Sequence, residues 1–183
     1  MKIGVLPIGK PETTALFWIK EKMQKSFPNT TCMVIDERIP LREKNFDEKR
    51  QQYRSHAILS EVQNYATMKA GFTRVLGVVD ADISFPELSF VFGEAACPGK
   101  AALISLWRLK PEFYDEAPNA SLFLERTLKE ALHELGHTLG LKHCSRSSCV
   151  MYFSNSISDT DIKQNLFCDK CYLHAKTSAN RLR

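Results

Sequence analysis

Apolar residues recur along this chain in two rhythms, and each marks a different kind of element. Residues 1–7 (MKIGVLP) and 31–35 (TCMVI) are short apolar runs bounded by Pro, Gly or polar residues, which predicts strands. Between them Leu16, Ile19, Met23 and Phe27 keep helical spacing, so the first 35 residues read as a β-α-β unit. A long second helix is expected over roughly 46–70, with Ile58, Val62, Tyr65, Ala66 and the stem of Lys69 on one face and its many charges on a solvated one. Residues 73–79 (TRVLGVV) make a third buried strand. Strands alternating with helices favour a mostly parallel sheet with right-handed crossovers.

The rhythm changes over 81–109. Ser89-Phe90-Val91-Phe92 and Ala101 to Trp107 flank the turn-rich Gly93-Glu94-Ala95-Ala96-Cys97-Pro98-Gly99, which predicts two strands joined by a loop. Asp80 and Asp82, at a strand end, read as turn and cap residues. A third amphipathic stretch then covers about 121–140, where Leu124, Leu128, Ala131, Leu132, Leu135 and Leu139 form one apolar stripe. His133 and His137 fall roughly 150° from that stripe. They share their side with Arg126, Lys129 and Glu130, as expected of a helix that starts in solvent and ends beside a cleft.

With 183 residues, 44% of them hydrophobic, the chain can bury a sizeable core. No linker, repeat or apolar run of membrane-spanning length divides it, so a single domain is expected and no membrane association. A net charge of +4 from interspersed residues gives no reason to expect nucleic acid. The N-terminus lacks the apolar core of a signal peptide, which favours the cytoplasm. Nothing in these patterns speaks to oligomeric state.

The chemistry is concentrated in His133-Glu134-Leu135-Gly136-His137-Thr138-Leu139-Gly140-Leu141-Lys142-His143, an HExxHxxGxxH pattern. His133 and His137 sit one helical turn apart, so both imidazoles can converge on one ion. Glu134 is rotated about a quarter turn away, too far to share the ion but near enough to reach a water on it as general base. Gly140 can take the left-handed conformation that ends a helix and bring His143 in as third ligand. Three neutral nitrogens leave a fourth zinc position open, the mark of a catalytic site.

Four of the six cysteines follow a second pattern. Cys144-x4-Cys149 and Cys168-x2-Cys171 are two knuckles able to close a four-thiolate zinc site, with two disulfides as the rival reading. The disulfide reading leaves Cys32 and Cys97 over and requires an oxidising compartment. A structural zinc is therefore preferred, giving two Zn2+ per chain. His174, three residues past Cys171, is expected at the surface.

HELGHTLGLKHCSRSSCVM with CDKC downstream resembles the signature of the archaemetzincins, metzincin metallopeptidases that add four zinc-binding cysteines to the three-histidine motif. The resemblance covers residues 133–171, and His133, Glu134, His137, Gly140, His143, Cys144, Cys149, Met151, Cys168 and Cys171 all stand where the pattern has them. It implies an α+β zincin-like fold: a mixed, mostly parallel twisted sheet with an antiparallel edge strand above the cleft, an active-site helix, and a small zinc-stapled C-terminal subdomain over 141–183. Residues 103–107 are the candidates for that edge strand. It also makes Met151 the methionine of the turn beneath the metal and Tyr152 a candidate oxyanion stabiliser. The implied activity is hydrolysis of a peptide or protein substrate. The alternative is a catalytically silent, zinc-stabilised binding or adaptor protein, against which the intact Glu134 argues.

Overall fold

The computed structural model describes residues 1–27 and 29–181. The first apolar run becomes β1 (Lys2–Ile8), buried at every position after Lys2. Helix α1 (Thr13–Ser26) buries Ala15, Leu16, Ile19 and Met23 and returns the chain to β2 (Thr31–Val34), which lies parallel to β1 with Thr31 opposite Lys2. The expected β-α-β unit is present.

The second helix is shorter than its pattern predicts. Residues 46–54 form β3 (Phe46–Asp47) and β4 (Gln52–Arg54), an antiparallel hairpin, and only Ser55–Met68 is helical, as α2. Ile58, Val62 and Ala66 do face the core, so the helical period holds from Ser55 on. Upstream of it the chain is charged and shows no alternation. Its pairing comes instead from a distant partner, because β4 runs parallel to β6 (Ile83–Ser84).

Strand β5 (Arg74–Val79) realises the third apolar run and pairs with β1. Outside it lie β7 (Gly93–Ala95) and β8 (Ala101–Ser105), giving a five-stranded sheet in the order β2-β1-β5-β8-β7 beside the small sheet β3-β4-β6. All pairs in the large sheet are parallel except β7 with β8. This is the mixed, mostly parallel sheet with one antiparallel edge strand that was expected. The edge itself is not in 103–107, however: Ala101–Ser105 is paired on both sides, and Gly93–Ala95, which reads as a turn, is the edge. Ser89–Phe92 forms no strand.

Two apolar layers enclose this sheet. Ile3, Val5, Leu76, Val78, Ala102 and Ile104 meet α1 and α3 (Ala120–Thr138), while Leu6, Ile8, Val75, Val79, Ala101 and Leu103 meet α2. Each of the larger side chains contributes roughly 1.5–3 kcal/mol by leaving water. The first layer continues into Cys149, Val150, Met151, Cys171 and Ala175, so the C-terminal third, with α4 (Ile157–Ile162) and α5 (Asp169–Asn180), packs on the same core. No described helix is long and apolar enough to cross a membrane.

Candidate active site

Helix α3 begins at Asn119, whose Oδ1 accepts the Leu122 amide at 3.0 Å. Its apolar stripe is buried as predicted, with Leu124 at the margin. The helix does start in solvent, with Ala120 and Ser121 exposed, but from Arg126 on its opposite side is covered as well. The Arg126 guanidinium, 1% exposed, donates to both carboxylate oxygens of Asp161 at 2.8 and 2.7 Å, and Lys129 donates to the Asp161 carbonyl at 3.1 Å. Glu130 accepts from Thr160 Oγ1 at 3.1 Å and lies 2.8 Å from Lys163 Nζ, an ion pair without an aligned hydrogen bond. A helical wheel groups these residues but cannot say that α4 and the Lys163 that follows it will cover them.

The helix closes as a Schellman motif. Gly140 N–H donates to the His137 carbonyl at 2.8 Å and Leu141 N–H to the Gly136 carbonyl at 3.2 Å, with Gly140 at φ +86°. Arg74 from β5 fixes the same end by donating to Thr138 Oγ1 at 3.0 Å and to the Thr138 carbonyl at 3.1 Å. Turned back in this way, the chain brings His143 to the other two histidines. The ring centroids are 4.7 Å (His133 to His137), 5.3 Å (His133 to His143) and 4.9 Å (His137 to His143) apart, and one nitrogen from each ring lies within 4.8 Å of the others.

Backbone carbonyls set the tautomers. His133 Nδ1 is 2.8 Å from the Val150 carbonyl and His137 Nδ1 is 2.7 Å from the Leu141 carbonyl. A carbonyl can only accept, so each Nδ1 carries the proton and each Nε2 presents a bare lone pair. Those two Nε2 atoms face each other at 3.1 Å. Two lone pairs repel at that distance unless a cation lies between them, and tetrahedral zinc with bonds of about 2.0–2.1 Å would separate its nitrogens by about 3.3–3.4 Å. Burial lowers the basicity of all three imidazoles, His133 most of all, assisted there by the charge of Lys163. The site thus offers the neutral donors a metal requires.

Glu134 is 5% exposed. Burial, then the charge of Glu130, pushes its carboxyl well above the usual range, and Lys163 opposes the shift. The room it occupies is provided by β7. A methyl group on Gly93 would stand 2.6 Å from Glu134 Cγ and 2.7 Å from Oε1, so only glycine lets the edge strand lie over this carboxylate. By its neighbours in sequence Gly93 reads as a turn residue; the close approach to Glu134 is the reason for the glycine.

The cleft in front of the histidines has a volume of about 640 Å3, with Glu94, Ala95, Lys142 and Phe153 among its lining residues. Its wall from Phe85 to Phe92 was also missed. Arg50, in the turn between β3 and β4, donates to the carbonyls of Phe85 (3.3 Å), Pro86 (3.4 Å), Leu88 and Ser89 (3.1 Å). Phe153 lines the cleft, with its ring 4.8 Å from that of His143, and Tyr152 before it is half-buried. Met151 is fully buried beneath α3 against Gly136. Asp80 and Asp82 are not ligands: Asp80 pairs with Lys110 at 2.7 Å, and Asp82 accepts both Arg108 bonds at 2.7 Å. His174 is exposed and outside both clusters.

Cys144, Cys149, Cys168 and Cys171 form the second cluster, with their sulfurs within 4.8 Å of one another. Cys144 Sγ and Cys168 Sγ are 3.9 Å apart, close to the roughly 3.8 Å edge of a tetrahedron with Zn–S bonds of about 2.3 Å. Cys168 caps α5, and hydrogen bonding from the Cys171 backbone draws its thiol down to about 7. Neighbouring residues serve different clusters, since His143 is followed by Cys144, and Cys149 by the Val150 that braces His133.

Three histidines gathered from one helix and the turn after it, beneath the edge of a mixed sheet, define a zinc metallopeptidase of the metzincin kind. Comparison with known proteins agrees. The model of peptidase family M54 matches residues 18–177. The archaemetzincin of Methanocaldococcus jannaschii is 43% identical over 172 residues, covering 93% of this chain and 90% of that protein. The crystal structure of the Methanopyrus kandleri archaemetzincin superimposes with a TM-score of 0.87 at 33% identity, over 99% of this chain and 96% of that one. For the Archaeoglobus fulgidus archaemetzincin the TM-score is 0.80 at 35% identity, over 95% and 99%. The chain belongs to peptidase family M54, the archaemetzincins.

Proposed function

We propose that the chain hydrolyses peptide bonds with Glu134 as general base and with His133, His137 and His143 holding one zinc ion. The facing Nε2 atoms of His133 and His137 at 3.1 Å, each with its Nδ1 committed to a carbonyl, carry this reading. Zinc bound there would polarise the scissile carbonyl and acidify a water. Glu134 takes the proton of the attacking water and returns it to the leaving nitrogen; its buried setting makes it a stronger base than an exposed glutamate. The outer edge of β7 can receive an extended peptide as a further strand. Met151 supports the ligands from below without touching the ion.

Cys144, Cys149, Cys168 and Cys171 hold a second, structural zinc, for two per chain, and residues 1–183 act as one catalytic domain on a peptide or protein substrate. Ligand thiolates favour a reducing compartment such as the cytoplasm. The test is elemental analysis and peptide-library cleavage on wild type and Glu134→Gln. Two zincs in each, with turnover reduced about 10^2- to 10^4-fold in the variant, is the expected result. Undiminished cleavage by Glu134→Gln, or a zinc content that survives loss of the three histidines and four cysteines, would overturn it.

A further inference from the structure

We infer that Arg50 is a positioning residue, whose guanidinium holds residues 85–92 as the wall of the cleft that selects a bulky apolar side chain of the substrate; this rests on the peptidase reading for the identity of the ligand. A guanidinium has five N–H donors. Here all five are used: Nε donates to Gln52 Oε1 at 3.2 Å, and the two terminal nitrogens donate to the carbonyls of Phe85, Pro86, Leu88 and Ser89. One side chain thus bonds four loop carbonyls that have no strand partner, those of Phe85 and Ser89 also accepting from the Leu88 amide at 3.1 Å and from Gln52 Nε2.

The loop it holds forms much of one side of the cleft, through Phe85, Leu88, Phe90 and Phe92. Leu88 is 40% exposed although apolar. Phe90 is fixed from behind by Arg108, 4.3 Å from its ring, and Arg108 is held by Asp82, which also accepts from Gln52 at 3.0 Å. Gln52 closes the network by donating to the Ser89 carbonyl at 3.0 Å. With Phe153 also lining the cleft, the surface offered to a ligand is aromatic and aliphatic, which suits a large apolar side chain. Arg50 touches neither the histidines nor the substrate path, so it acts through the loop.

The experiment uses the full chain with its metal. Labelled peptides carrying Phe, Leu or Ala at each position are bound to a Glu134→Gln chain and followed by anisotropy, and the same peptides are cleaved by the chain with Glu134 intact. A preference of at least about tenfold for Phe or Leu over Ala at one position is expected. Arg50→Ala and Arg50→Lys should both reduce it to below about threefold, because lysine has only three donors, with KM raised and kcat within about threefold. Leu88→Ser, at a side chain 40% exposed, should weaken the same preference and decides the matter if Arg50→Ala does not fold. No preference in the parent, a preference intact in the variants, or a fall in kcat at unchanged KM would overturn the inference. Selective binding without cleavage by the intact chain would sink the peptidase reading and leave this one standing; cleavage without selectivity would do the reverse.

Discussion

Gly136 lies so close to Met151 that a methyl group on its α-carbon would overlap Met151 Sδ, approach its Cε to 3.2 Å and come within 3.3 Å of Phe167. The glycine inside His-Glu-Leu-Gly-His is therefore the socket of the buried methionine. Gly136→Ala would gain up to about 1 kcal/mol of helix propensity but overpack this contact by about 1–3 kcal/mol. The clash should win. Calorimetry should show a lowered Tm and chelator competition a weaker hold on zinc; a raised Tm would mean that Met151 is free to move aside.

Gly93→Ala tests the other side of Glu134. The new methyl group would displace the carboxylate and also press on the Leu103 carbonyl, 2.7 Å away. Because a displacement of about 1 Å near the reacting atoms can slow catalysis about 10^2-fold, kcat should fall by one to two orders of magnitude while zinc content is kept. Steady-state kinetics with metal analysis on the same sample would check this.

Lys163→Met would strand Glu130, since the two are 2.8 Å apart with side chains 0% and 3% exposed. Breaking a buried pair from one end costs about 3–5 kcal/mol, whereas replacing both ends is often neutral. Urea unfolding should therefore find Lys163→Met much less stable than the double variant Lys163→Met/Glu130→Gln. Equal stabilities would show that the pair is not coupled.

Burial raises the Cys32 thiol from an ordinary 9.0 to about 12. The folded state therefore keeps a proton that the unfolded chain gives up, so this contribution to stability is complete below pH 9 and declines between 9 and 12 by about 1.4 kcal/mol per pH unit. Unfolding measured at pH 8 and pH 10 should show a steeper loss for the parent than for Cys32→Ala. Thiol labelling of the folded protein at pH 8 should leave Cys32, 5% exposed, unmodified and mark the exposed Cys97.

The site was more legible in the sequence than its surroundings. His133, His137, His143 and the four cysteines declare themselves by spacing, because helical geometry and tetrahedral coordination leave few ways to read them, and the structure brings both sets together. The parallel strands were legible because burial on both faces makes them continuous apolar runs. Gly93–Ala95 was not, since its composition answers to Glu134 and not to strand propensity. The hairpin at 46–54 was overrun by a helical period that starts only at Ser55, and its pairing with Ile83–Ser84 is non-local. Arg50 carried no signal, because four of its five partners are main-chain carbonyls, which every residue possesses.

The brace on His133 and His137 has the same anonymity. Both Nδ1 protons go to main-chain oxygens, those of Val150 and Leu141. A metal site whose imidazoles are oriented by a carboxylate can lose its orientation through one codon. Here no side-chain replacement at 141 or 150 can delete the acceptor, and only a change in the path of the chain could withdraw it. The tautomers are thus a property inherited from the fold, and the surrounding sequence is free to drift as long as the turn after Gly140 and the turn around Met151 keep their course.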